Sequence, residues 1–226
     1  MSTSTSASTA GQVDIGEAFG YVFRSRNWFG KIAVGALCVL FFWVIFIPLL
    51  ILLGYCVETA RTIKNGAREL PPWQDIGKKL GEGFILAVVL IIWDLPGIAL
   101  SSTGFPHQVC TGNPPTCTLV SGSGVSGLGS LYNLLLAFLT PAIWSQYIEG
   151  GFTNAFQFGA IFRRALQNPG MTVLVWLMGI VAIIIGFAGV IIVFIGILFT
   201  LPYGYLVIAH LYGQFGRATE GLARAT

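Results

Sequence analysis

Charge is what this sequence has least of. Of its 226 residues, 12 are Lys or Arg and 9 are Asp or Glu, 9% of the chain, where a soluble domain carries about 25%. So few ionised groups cannot cover a globular surface, which excludes an ordinary soluble domain. Charge is missing altogether over 32–57, 95–148 and 165–216. Apolar stretches of about 18 residues or more are read as membrane spans. With 55% of residues hydrophobic, the expectation is an integral membrane protein with nearly all of its mass in or on the bilayer.

Other scarcities exclude other functions. A net charge of +3 is too small to argue for nucleic acid. The two histidines and four cysteines give no metal-binding set, and no nucleophile–base pair or paired carboxylates stand out. The sequence is therefore read as a non-enzyme with no cofactor. The Gly-rich stretch SGSGVSGLGS (121–130) lacks the Lys and the strand–helix context of a phosphate-binding loop. The first twelve residues, MSTSTSASTAGQ, have no basic n-region and no adjoining apolar h-region. They read as a disordered tail rather than a secretory signal.

What charge there is has a pattern. All 12 Lys and Arg fall within 24–31, 61–79, 163–164 and 217–224. Short cytoplasmic loops of membrane proteins carry the excess of Lys and Arg. These four segments mark the cytoplasmic face of a multi-pass cell-membrane protein with both termini inside.

Between them the chain reads as helices. Residues 13–29 place Ile15, Phe19 and Val22 on one face, with Asp14 and Glu17 in the first turn, where acids suit the helix dipole. That is an interfacial helix anchored by Trp28 and Phe29. Inserted segments follow at about 31–57, 83–100, 125–148, 171–189 and 190–212. Pro71 and Pro72 suit the first positions of a helix. In it Trp73, Ile76, Leu80 and Phe84 share one face, while Lys78, Lys79 and Glu82 turn to the headgroups and cytoplasm. Residues 101–124 read as an uncharged outer loop, and 155–166 as a second surface helix. FGYVFRSRNWFG (19–30) and FGAIFRRALQNPG (158–170) form a short internal repeat, each ahead of an apolar segment broken by a proline, Pro48 or Pro202. Duplication and coincidence both account for it.

Length and charge disagree over 32–57. As one helix it reaches about 39 Å, ample for a single crossing of a core about 30 Å thick. A single crossing, however, strands three of the 12 basic residues, Arg24, Arg26 and Lys31, on the wrong side. A hairpin bent near Pro48 keeps all of them inside, and a re-entrant segment is the preferred expectation.

LLGYCVETARTIKNGARELPPWQDIGKKLGEGF (52–84) resembles the signature of an uncharacterised prokaryotic membrane family, domain of unknown function 4013. The matching positions are Gly54, Tyr55, Arg61, Gly66, Leu70, Pro71, Asp75 and Gly83. FTLPYGYLVIAHLYGQFGRA (199–218) is similar to that family's last helix. The resemblance extends over about 13–217 and leaves out the Cys-containing outer loop. It implies an architecture and no catalytic residues.

Three sets of side chains are candidates for function. Asp94, in IIWDLPG, is the one acid inside an expected span, about 16 Å of helix rise beyond Gly83. A charge there is costly and marks a functional candidate; the plainer reading is an acid that satisfies backbone freed by Pro96. His210 and Gln214 stand one turn apart and suit either a ligand or proton role or an interhelical hydrogen bond. Cys110 and Cys117 flank TGNPPT, whose Asn-Pro-Pro suits a turn that brings the sulfurs together. A disulfide, free thiols and a metal site that adds His107 are the alternatives, and a structural zinc site needs four ligands. Cys38 and Cys56 read as small apolar residues.

The expected fold is all-α and polytopic. About six membrane-inserted helices form three hairpins, the first of them re-entrant, with amphipathic helices on the cytoplasmic side. A tail (1–12), a single membrane domain (13–217) and a short C-terminal tail (218–226) make up the chain. The partners expected are the bilayer, anionic lipids bound by the basic clusters, other membrane proteins and further copies of the chain. The function expected is a structural or partner- and lipid-organising role, and the alternative is a small channel or carrier. In that alternative Asp94 and the helix-breaking Pro48, Pro96, Pro141 and Pro202 lie near the pathway.

Overall fold

The computed structural model describes residues 13–225 apart from 26, 42–45, 103–106, 113, 121–124 and 190–194. The N-terminal tail read from the sequence, and the point where 32–57 would bend, lie outside the described residues. The helices are α1 (Ile15–Arg24), α2 (Trp28–Leu40), α3 (Ile47–Lys64), α4 (Ile76–Ser102), α5 (Val125–Asn154), α6 (Phe158–Gln167), α7 (Pro169–Ala188) and α8 (Ile195–Ala225). Strands β1 (His107–Thr111) and β2 (Thr116–Val120) lie between α4 and α5.

Four stretches are long and apolar enough to cross a membrane: Ile76–Leu100, Gly127–Asn154, Pro169–Ala188 and Gly196–Glu220. Among the described residues, helix length and composition support four of the expected six or so inserted helices. Trp28–Leu40 is apolar but short, about 20 Å by helix rise against a core of about 30 Å. α3 carries Glu58, Arg61 and Lys64 in its last two turns, so its second half does not read as a span. Pro48 falls in the first turn of α3, where its missing N–H costs nothing, and does not kink a longer helix.

The molecule is apolar outside as well as inside. Ile91, Leu131, Ile184 and Phe187 are exposed, as lipid-facing side chains are. The interior holds Tyr21, Tyr55, Tyr147 and Phe215 alongside aliphatic residues. α8 is the central element and packs against α1, α2, α3, α5, α6 and α7. Over the expected C-terminal tail this helix continues to Ala225, with Thr219 buried and Lys64 2.8 Å from Glu220. α1 does not stand apart as a surface anchor. Its Tyr21 and Val22 are fully buried, and the Tyr203 hydroxyl on α8 donates to the Phe19 carbonyl oxygen at 2.9 Å. The two copies of the internal repeat form matching pairs, a ten-residue helix leading into an apolar one: α1 into α2 and α6 into α7.

The outer loop is not wholly irregular, which amends the all-α expectation. β1 and β2 pair antiparallel with Cys110 opposite Cys117, and the two sulfurs are joined as a disulfide. Val, Thr and Cys suit strands, and Gly112 supplies the positive φ of 97° that the turn needs.

Candidate functional site

The stretch that carries the resemblance folds as one junction between α3 and α4. Each signature residue has a mechanical part in it. Gly54 and Gly83 face each other where the two helices meet. A Cβ on Gly54 would overlap the Lys79 carbonyl oxygen, and one on Gly83 would overlap that of Leu50. Only hydrogen at these positions lets the backbones approach so closely, the small-residue contact used between helices in membranes.

Gly66 ends α3. Its φ of +89° lets Ala67 N donate to the Thr62 carbonyl oxygen at 3.0 Å and Gly66 N to that of Ile63 at 2.9 Å. That is the paired bonding of a Schellman cap. The chain then returns along α3. Leu70 and Pro71 are buried, and the Tyr55 hydroxyl donates to the Pro71 carbonyl oxygen at 2.9 Å. Asp75, at φ +53°, is the turn into α4, and its carbonyl oxygen accepts from Lys79 N at 3.1 Å.

The sequence reading put Trp73 on a helix face at the headgroups and turned Lys79 outward. The structure reverses both. Trp73 precedes α4 and stacks on the Tyr55 ring, centroids 4.0 Å apart and 7° from parallel. Its indole N–H donates to the Lys31 carbonyl oxygen at 3.1 Å. The Lys31 ammonium donates in turn to the Leu70 carbonyl oxygen at 2.6 Å and to Ser25 Oγ at 2.9 Å. Lys79 is 4% exposed, 2.5 Å from the Glu58 carboxylate, and also donates to the Gln74 carbonyl oxygen. Ile76, Lys78 and Phe84 are exposed, and Leu80 is half-buried. The helical repeat put Ile76 and Phe84 on an apolar outer face, where they lie, and misplaced Trp73 and Lys79, whose partners sit on α2 and α3.

Below Lys79 the polar side of α4 continues inward. Arg61 donates through both terminal nitrogens to Glu82, each bond 3.2 Å. The Tyr147 hydroxyl on α5 donates to the Glu82 carbonyl oxygen at 2.8 Å. Lys64 lies 2.8 Å from Glu149, which also takes Arg164 at 2.7 Å. Nothing in the spacing of Glu58, Lys79, Arg61 and Glu82 announces these pairs, since each joins residues 21 positions apart across a turn.

The other candidates separate. Gln214 does not bond to His210. Its Oε1 accepts from Asp14 N at 2.8 Å, and its Nε2 donates to the Asp14 carbonyl oxygen at 3.2 Å. His210, 1% exposed, lies against Tyr21 with ring centroids 4.4 Å apart. His210 Nδ1 and the Tyr21 hydroxyl are both buried without a hydrogen-bond partner. Burial, with the Glu69 carboxylate adding to it, pushes the Tyr21 phenol above its ordinary range. Asp94 is exposed and borders a groove of about 260 Å³ with Leu90, Ile91, Trp93, Leu136 and Thr140. Its neighbour Trp93 points inward and donates to the Ala155 carbonyl oxygen at 3.0 Å. Among the described residues no cluster of three or more His, Cys, Asp or Glu is placed to hold a metal ion.

Four helices able to cross a bilayer, closed at one end by a charged and aromatic junction, define the class of helical membrane proteins. Within it, the model of the family DUF4013, a protein of unknown function, matches residues 37–199. The chain belongs to that family. The match takes in the whole α3–α4 junction and the outer disulfide hairpin, but not α1 or most of α8, so it is narrower at both ends than the resemblance suggested. No curated protein and no solved structure matches the chain.

Proposed function

We propose that this protein is a non-enzymatic structural component of the cell membrane that organises lipid or partner membrane proteins around a rigid helical body. The observation that carries this reading is the use made of the α3–α4 junction. Glu58 is paired with Lys79 and Arg61 with Glu82, and its signature residues serve packing: Gly54 and Gly83 allow close contact, Tyr55 and Pro71 lock the return, and Gly66 caps a helix. Exposed Arg68 and Lys78 at the same end supply cations for anionic headgroups.

The basic end faces the cytoplasm by the distribution of Lys and Arg. Asp14 bonded to Gln214 supports both ends of the chain lying on that side. Lys31 bonded to Leu70 and Trp73 supports the same for the ends of the α2–α3 segment, which then enters and leaves as a hairpin. A carrier would use Asp94 along an interior path. Its exposed position in an outward groove favours contact with a second copy or another membrane protein instead.

Isolation of the tagged chain from native membranes tests this. A defined lipid class or protein should co-purify in fixed ratio, and reconstituted vesicles should show no solute flux. Ion or solute flux through the purified chain, abolished by Asp94→Asn, overturns the proposal.

A further inference from the structure

A cleft of about 310 Å³ lies where α3, α4, α5 and α8 meet. Leu52, Leu53, Leu90 and Ile208 give it aliphatic walls, and Cys56 lies among them. Leu52, Cys56 and Ile208 are buried, Leu49 and Leu53 are half-buried, and Tyr205 is exposed and marks the mouth. The lining follows α3 from Leu49 to Cys56 and α8 from Tyr205 to Tyr212, about 10 Å of helix rise on each. The cleft is therefore elongated along helices, one of which is long enough to span a bilayer.

Its polar features are three tips. Trp144, Tyr205 and Tyr212 are the lining residues that carry an N–H or hydroxyl. Trp144 and Tyr212 stand together, ring centroids 5.4 Å apart. Water does not suit such a space, because a buried water takes two to four polar partners and the walls offer aliphatic carbon. Left empty, the walls forfeit dispersion contacts. The volume accommodates about ten methylene-sized groups at roughly 30 Å³ each, the share of a molecule of liquid water.

We propose that this cleft holds one acyl chain of a bilayer phospholipid, with the ester carbonyl oxygen accepting from Trp144 and Tyr212 beside the methylenes packed on Leu52, Leu53 and Ile208. The proposal rests on the chain standing in a membrane. Only the occupancy of the cleft is at stake in its test, since an empty cleft leaves the packing role of the α3–α4 junction intact. An amphiphile matches the cleft in shape, in polarity and in supply: the surrounding medium is made of such chains, running in the same direction as the helices.

Native mass spectrometry of the full chain in mild detergent tests this. Wild type should retain one phospholipid. Leu49→Trp, at the half-buried rim, should lose it without loss of folding. Tyr212→Phe, which removes only a hydroxyl, should lower retention by about fivefold, the factor lost with one hydrogen bond. Vesicles of phosphatidylglycerol added to lipid-stripped wild type should restore retention of one phospholipid. Equal retention by wild type and Leu49→Trp would mean surface lipid only and overturns the proposal. So does rebinding of free oleate but not of phospholipid by the stripped protein.

Discussion

The Trp73 indole N–H donates to the Lys31 carbonyl oxygen at 3.1 Å, and the Lys31 ammonium donates to the Leu70 carbonyl oxygen at 2.6 Å. The start of α2 and the loop after α3 are thus held at one level, though some 40 residues of chain separate them. This contact is what the proposed re-entrant reading of 32–57 rests on, in which both ends of the segment lie on one side of the membrane.

A topology experiment follows from that bond. Cysteines replacing Arg24 and Arg68, each in a background without the four native cysteines, should resist a membrane-impermeant thiol reagent in intact cells. Both should label after permeabilisation. Labelling of the Arg24 position alone in intact cells establishes a single crossing over 32–57.

The contact between Gly54 and the Lys79 backbone allows a comparison of two glycines, Gly54 on α3 and Gly81 on α4. Gly54→Ala places a methyl group into the Lys79 carbonyl oxygen and should cost about 3 kcal/mol, the upper range for overpacking. Gly81→Ala meets nothing within 4 Å, and it exchanges a poor helix former for the best one. It should leave stability unchanged or raise it slightly. Thermal denaturation of the detergent-purified variants measures both, and equal melting temperatures would remove the close-contact role of Gly54.

The Lys79–Glu58 pair should behave as a coupled unit. Lys79 is 4% exposed and Glu58 36%, so Glu58→Gln leaves a largely buried ammonium with a carbonyl for company. Each single change, Glu58→Gln or Lys79→Met, is expected to cost about 1–3 kcal/mol, below the 3–5 of a fully buried pair. The double variant should recover part of the sum, with a coupling of about 1 kcal/mol in a double-mutant cycle. Strict additivity would show that the two side chains do not stabilise one another.

Composition and patterning by themselves determined that this is a helical membrane chain with its basic residues in four segments, and where its apolar helices run. Those features follow from the cost of charge in lipid and from the length needed to cross it, and both are local properties of the chain. The order of Gly54, Tyr55, Gly66, Leu70, Pro71, Asp75 and Gly83 was enough to point to the family as well. The orientation of the helix faces was not legible. The repeat that groups Trp73, Ile76, Leu80 and Phe84 is the same whether that face looks to lipid or to protein. Only tertiary packing, which seats Trp73 on Tyr55 and Lys79 on Glu58, decided that Trp73 and Lys79 turn inward while Ile76 and Phe84 stay exposed. His210 and Gln214 share a helix face in sequence, yet α1 divides them, giving His210 to Tyr21 and Gln214 to Asp14. Pairings across some 200 residues leave no periodic trace, because they depend on how whole helices are arranged and not on the spacing of neighbours along one of them.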